Sequence, residues 1–234
     1  MKTTYVSGVR ALRKALAVVG LLGLLDRWAD RSRTGLWLRS LLSIYDLEDL
    51  LRFDVPWWTF EASDRVAEFL RTRPDARVFE WGSGASTVWL SRRSGSVTSI
   101  EHDADWAGIV EPVLPDNAVV RVVRPVPATG GPEQQLSEKA GFENLDFAGY
   151  VDAMEHLDGD FDLVVVDGRA RNACFHRAVT RLAPGGVLVF DNVDRERYRD
   201  AIASSPVDVE VEWTRGLTPA LPYPTRTALV TVRG

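Results

Sequence analysis

The stretch that decides the fold is Arg77-Val78-Phe79-Glu80-Trp81-Gly82-Ser83-Gly84-Ala85-Ser86-Thr87. Arg77–Trp81 reads as a short apolar strand, Gly82-Ser83-Gly84 as a sharp turn, and Ala85–Arg92 as a helix. Glycines allow the turn and let a ligand approach the backbone closely, and the helix start presents N–H groups with no partner in the helix. Taken alone, such a loop is a weak signal, because many α/β proteins place glycine here merely to turn the chain. Its meaning depends on what flanks it.

Working outward, strands and helices alternate. Ser96–Ile100 and Ala118–Val123 read as strands, Phe147–His156 as helical, and Phe161–Val166 (FDLVVV) as an apolar strand. Asn172–Leu182 reads as a helix, Pro184-Gly185-Gly186 as a turn, Val187–Phe190 as a strand and Glu196–Ser204 as a helix. Val207–Trp213 and Ala228–Val232 read as a closing antiparallel pair. Alternation of this kind predicts a doubly wound α/β domain, and the continuous Val/Leu/Phe runs predict parallel strands buried on both faces. Ligands of such sheets bind beyond the carboxyl ends of the strands. Glu101, Asp167, Asp191 and the Gly-Ser-Gly turn all fall there.

Glu101 follows Gly82 by 19 residues, the place where a carboxylate accepts the two hydroxyls of a ribose. That selects adenosine, not a reaction. Thr87 stands where a dinucleotide fingerprint has its third glycine. Glu80 would repel a pyrophosphate and suits a cationic ligand or its amino group. With no Tyr-x-x-x-Lys pair either, a nicotinamide oxidoreductase is the weaker reading.

The ordered strings E-W-G-S-G, S-I-E-H-D, V-V-V-D-G-R and L-A-P-G-G-V-L-V-F-D-N resemble the class I S-adenosylmethionine-dependent methyltransferases over roughly residues 75–200. The resemblance implies a Rossmann-like, mostly parallel seven-stranded sheet with an antiparallel last strand. It implies S-adenosylmethionine as cofactor, with Gly82, Ser83 and Gly84 against the methionine part and Glu80 near its amino group. It further implies Glu101 on the ribose, with His102 and Asp103 beside the adenosine. Ser86 and Thr87 complete the expected cofactor set. The strings E-W-G-S-G-x-S-T and E-H-D also look like those of plant glucuronoxylan 4-O-methyltransferases, a short similarity pointing to a sugar hydroxyl. Asp167, Asp191 and Asn192 are similar to the Mg²⁺ ligands of catechol-type and macrolide-sugar O-methyltransferases. Here Arg169 and Arg171 follow Asp167 where the catechol-type pattern has a lysine. The two expectations are therefore a divalent metal on those three residues, or a metal-free network in which arginines neutralise the acids or hold an anionic substrate. Without a metal, Asp167 and Asp191 are the expected catalytic bases, ahead of His102. His156 and His176 are expected to be structural or solvated.

Several other residues have both an ordinary and a functional reading. Tyr45, Trp57 and Trp58 are core or pocket wall. Lys139, Phe142, Asp146 and Tyr150 belong to a loop or a lid. Gly216–Pro224 is a pocket border or a simple connection, and Arg195 and Arg197 are solvent-facing or part of a basic cluster with Arg169 and Arg171.

The 234 residues suit one sizeable domain, and a single cysteine, Cys174, leaves no disulfide framework and fits a cytoplasmic protein. Residues 1–40 carry about +6 of charge and the remainder about −11. The acidic body argues against nucleic acid and for a small-molecule or sugar substrate. Residues 1–60 read as an N-terminal helical extension and 61–234 as the catalytic domain, whose first helix is expected at 64–72, capped by Ser63-Asp64. The apolar run Ala15–Leu25 is too short to span a membrane. It is expected within a helix, over residues 9–28, that packs on its own domain, a homodimer partner or a membrane surface, with an export signal as the competing reading. A non-catalytic methyltransferase-like domain docked through this helix is the remaining alternative to an enzyme.

Overall fold

The computed structural model describes residues 2–43, 47–137 and 139–233; Tyr45 lies outside them. Four helices open the chain: α1 (Lys2–Val18), α2 (Leu21–Ala29), α3 (Arg33–Ser40) and α4 (Leu47–Phe53). Next come α5 (Phe60–Arg71), β1 (Arg77–Trp81), α6 (Ala85–Ser91), β2 (Ser96–Glu101), α7 (Ala104–Val110) and β3 (Ala118–Val122). The two-residue strands β4 (Val126–Pro127) and β5 (Leu145–Asp146) form a separate small pair before α8 (Ala148–Asp152). The last elements are β6 (Phe161–Val166), α9 (Arg171–Val179), β7 (Leu182–Asp191), α10 (Glu196–Ala203), β8 (Val209–Gly216) and β9 (Thr225–Val232).

The main sheet has seven strands in the order β3-β2-β1-β6-β7-β9-β8. The first four pairings are parallel, and β9 enters antiparallel to both β7 and β8. The expected doubly wound sheet and its antiparallel last strand are therefore present. Alternation of side chains along each strand splits the interior into two layers. Phe79, Trp81, Val164, Val166, Leu188, Phe190, Ala228 and Val230 point to one, with Cys174 and Phe175 of α9 and Ala201 of α10 packed on them. Val78, Leu163, Val165, Val189 and Leu229 point to the other, beneath Val66 and Leu70 of α5 and Leu90 of α6. A strand apolar on both sides is what two covered faces require, and β6 is apolar at all positions but Asp162, which pairs with Arg73 near the start of the strand.

Some boundaries differ from those expected. Helix α5 starts four residues early because Thr59, not Ser63 or Asp64, caps it: Thr59 Oγ1 accepts from the Ala62 N–H at 3.2 Å. Pro184-Gly185-Gly186 lies inside β7, where the register against β6 shifts. The apolar run Ala15–Leu25 is two helices, broken by Gly20 at φ +74°. Val18, Val19, Leu21 and Leu24 are exposed rather than packed on the domain, and no helix among the described residues is long and apolar enough to cross a membrane.

The early helices are tied to the far end of the chain. Trp37 Nε1 donates to the Leu221 carbonyl (2.8 Å), and Ala220 N–H donates to Ser40 Oγ (2.9 Å). The buried Arg39 guanidinium holds Asp26, Ser43 and Asp49 together. These contacts place α3, α4 and the β8–β9 connection over the carboxyl ends of the strands.

Candidate active site

A cavity of about 850 Å³ opens at those carboxyl ends, within the roughly 300–1,000 Å³ of small-molecule sites. Gly82, Ser83 and Gly84 form one wall, Glu101, His102, Asp103 and Trp106 a second, and Asp167, Arg169, Arg171, Asp191 and Asn192 the floor. Leu47 and Trp57 close it from the N-terminal side, and Ala220, Leu221 and Tyr223 from the β8–β9 connection.

The β1 loop is narrow because two backbones touch. Gly82 has φ +99°, and a Cβ there would lie 2.8 Å from Gly168 Cα and 2.9 Å from Gly168 N. Side chains at either position would force the loops after β1 and β6 apart.

Glu80 and Thr87 do not line this cavity, which corrects the placing of Glu80 beside a cofactor amino group. Glu80 is fully buried and accepts from the hydroxyls of Ser86 and Thr87, and Thr87 Oγ1 in turn accepts from the Gly84 N–H at 2.9 Å. Burial, reinforced by Asp167, pushes the Glu80 carboxyl up to about 7, against the pull of the Ser86 and Thr87 hydrogen bonds. Glu80 thus clamps the glycine loop to the start of α6 from below.

Glu101 does face the cavity while staying nearly buried. Its Oε2 accepts from the Ser83 N–H (3.0 Å) and Oγ (3.1 Å), and its Oε1 from the backbone N–H groups of His102 (2.7 Å) and Asp103 (2.9 Å). Burial raises this carboxyl, but nearby His102 and the backbone donors outweigh it and hold it below the usual range. Glu101 therefore stays ionised at neutral pH. Asp103 caps α7 by accepting from Asp105 and Trp106 N–H groups (3.0 and 3.2 Å), and the Trp106 indole donates to the Ser83 carbonyl at 2.8 Å. Trp106 was not among the expected site residues, although an aromatic three residues after a helix cap and close to Glu101 was a usable signal. Leu47 was also missed.

The floor brings Asp167, Asp191 and Asn192 together as expected, but around a guanidinium. The buried Arg171 donates to the carbonyls of Gly168 (3.1 Å), Asp191 (2.9 Å) and Asp167 (2.7 Å), donates to Asn192 Oδ1 (3.2 Å), and pairs with Asp167 Oδ1 at 2.6 Å. Asp191 Oδ1 accepts from Thr227 (2.7 Å), and its Oδ2 accepts from the Asn192 amide nitrogen. A metal would need side-chain oxygens of all three residues, and Arg171 already engages Asp167 Oδ1 and Asn192 Oδ1, while Thr227 and Asn192 engage those of Asp191. No group of three His, Cys, Asp or Glu among the described residues is arranged for a metal ion. The donor set does not fit the Mg²⁺ centre that the resemblance implied. Burial and the neighbouring Asp167 push Asp191 up to about 7, with Arg171 and Thr227 pulling the other way.

Of the ambiguous residues, Trp57, Lys139 and Phe142 line the cavity, while Trp58 is fully buried against Trp89. Asp146 is structural, accepting from the N–H groups of Gln135 and Ala148 (2.9 Å each). His156 is exposed, and His176 meets the Ala201 carbonyl at 3.0 Å. Neither lines the cavity.

A parallel sheet with a single inserted antiparallel strand, and an acid after β2 facing a glycine loop after β1, defines an adenosyl-cofactor enzyme of the class I methyltransferase type. Residues 79–193 match the family model described as a methyltransferase domain. No curated protein matches the chain in sequence. Among solved structures, precorrin-6y C5,15-methyltransferase from Geobacter metallireducens is 16% identical, with a TM-score of 0.51 over 74% of this chain and 88% of that one. An rRNA methylase from Streptococcus thermophilus is 14% identical, with a TM-score of 0.50 over 72% and 95%. Residues 79–193 are thus a methyltransferase domain, and the fold is that of the class I S-adenosylmethionine-dependent methyltransferases. The exclusion of nucleic acid drawn from the acidic body is overturned: the same fold serves an rRNA methylase, so net charge does not remove that class of acceptor.

Proposed function

We propose that this methyltransferase transfers the methyl group to a hydroxyl oxygen of a small molecule or a glycan, without a metal. The observation that carries the reading is Asp191. It is a buried carboxyl on the cavity floor whose proton affinity matches neutral pH, where a general base works best. Bound S-adenosylmethionine supplies an activated methyl group on its sulfonium. The chain's own residues do the rest. Glu101 accepts the ribose hydroxyls, while Gly82, Ser83, Gly84 and Ser86 border the methionine part and His102 and Asp103 the adenosine. Glu80 and Thr87 hold the loop from beneath. Asp191 takes the proton of the acceptor hydroxyl as its oxygen bonds to the methyl carbon and the carbon–sulfur bond breaks. Arg171 keeps Asp167 and Asp191 in place and offsets their charge, and the N-terminal helices exclude water.

The test is methyl transfer from labelled cofactor to sugars, phenols and hydroxy acids, followed by product analysis. O-methylated products are expected, with Asp191→Asn slower by about 10²–10⁴ and without the rise in rate that the wild type shows on passing pH 7. Transfer only to nitrogen, carbon or RNA would overturn the reading, as would an Asp191→Asn variant of wild-type rate.

A further inference from the structure

A second hollow of about 170 Å³ adjoins the active-site cavity and shares Lys139, Arg169, Arg171, Asn192 and Arg195 with it. Its described lining holds five cations, adding Arg197 to four of those shared residues, and no acid. That is unexpected in a chain of net charge −5, because gathering like charges is unfavourable unless an anion offsets them. Arg171 has its offset in Asp167. Arg169 and Arg195 have no carboxylate within salt-bridge distance among the described residues: Arg169 lies over the Phe142 ring and donates to the Gly168 carbonyl, and Arg195 donates to Tyr198 Oη at 3.2 Å. Arg169 Nε is buried with no hydrogen-bond partner, as is Asn172 Oδ1.

Helix α9 points its N-terminus into the same hollow. Its cap residue, Ala170, offers no side-chain acceptor, and Ala170, Arg171, Asn172 and Ala173 all border the space. Unpaired N–H groups and the positive end of a nine-residue helix attract an anion. The uncapped helix start, the Arg169 Nε without a hydrogen-bond partner and the Arg169–Arg195 pair of cations coincide at one place.

We propose that this hollow is an anion subsite binding a carboxylate or phosphate group of the methyl acceptor, so that the substrate is a small hydroxylated acid. The inference rests on the methyltransferase reading above and narrows its substrate class. Arg169 and Arg195 form the charged pair, the α9 N–H groups complete the cradle, and Asn172 Oδ1 receives a substrate hydroxyl. The acid group fixed there holds a neighbouring hydroxyl over Asp191.

The experiment is calorimetric titration at low salt with inorganic pyrophosphate and, separately, with citrate, on the full chain, Arg169→Gln and Arg195→Gln. A parallel titration of wild type with S-adenosylmethionine tests the methyltransferase reading by itself. Wild type is expected to bind at least one of the two anions, the tighter one naming the group, and each variant to bind it roughly tenfold or more weakly. Arg195 is exposed, so its variant is expected to fold whatever happens to Arg169→Gln. Equal anion affinity in wild type and Arg195→Gln would overturn the subsite even with normal cofactor binding, and so would absence of anion binding to wild type. A short RNA that binds more tightly than both anions, with steep salt dependence, would overturn the small-acid assignment.

Discussion

Replacing Arg171 by Met removes the guanidinium and keeps most of the side-chain length. The wild-type residue satisfies three backbone carbonyls and Asn192 Oδ1 and pairs with Asp167. Breaking a buried ion pair from one side costs about 3–5 kcal/mol. For a domain of this size that lowers Tm by roughly 6–20 °C. The loss depends on pH, and its sign follows from Asp191. Its carboxyl sits near 7 in the folded chain, above its unfolded value of about 3.9, so the folded state binds more protons between those limits. Its contribution to stability therefore declines as pH rises from about 4 through 7. Without Arg171, Asp167 and Asp191 shift further up, so protonation at pH 5.5 rescues the variant and ionisation at pH 8 does not. Urea denaturation of both proteins at the two pH values measures this. A loss under about 1 kcal/mol, or an equal loss at both pH values, would refute a charge-balancing role for Arg171.

Three further outcomes are expected. On the proposed ribose role of Glu101, Glu101→Gln would forfeit about two charge-assisted hydrogen bonds, each worth roughly 1.5–3 kcal/mol, so the Kd for S-adenosylmethionine is expected to rise about 100-fold or more by calorimetry; a change under threefold would remove Glu101 from the ribose. Gly168→Ala puts a methyl group into Tyr150 Oη and against the Gly82 backbone, and a destabilisation of about 1–3 kcal/mol or more should appear in thermal melts, together with lost cofactor binding. Because Arg171 already engages Asp167 Oδ1 and Asn192 Oδ1, cofactor affinity and methyl transfer are expected to be the same in Mg²⁺ and in EDTA; an activity that disappears with EDTA and returns with Mg²⁺ would contradict this.

Local pattern was enough for the sheet and for much of the site. Runs such as Leu163–Val166, apolar at every position, suit a strand covered on both faces, and the glycine loop and Glu101 fall at strand ends because that is where a parallel α/β sheet presents its loops. What escaped was direction. Glu80 looked like a ligand contact because its charge suits a cation, yet its side chain alternates to the inside of β1 and meets Ser86 and Thr87. Asp167, Asp191 and Asn192 read as metal ligands because their types and order match; only the fold shows that Arg171, one helical turn beyond Asp167, reaches back among them. The hollow at α9 joins residues from 135 to 198, and the N-terminal helices reach Ala220 and Leu221 across some 180 residues of chain. Periodicity reports which face of an element is apolar, and a motif reports which chemistry is available. Which charge ends up beside which depends on contacts distant in sequence, and these exist only once the chain has folded.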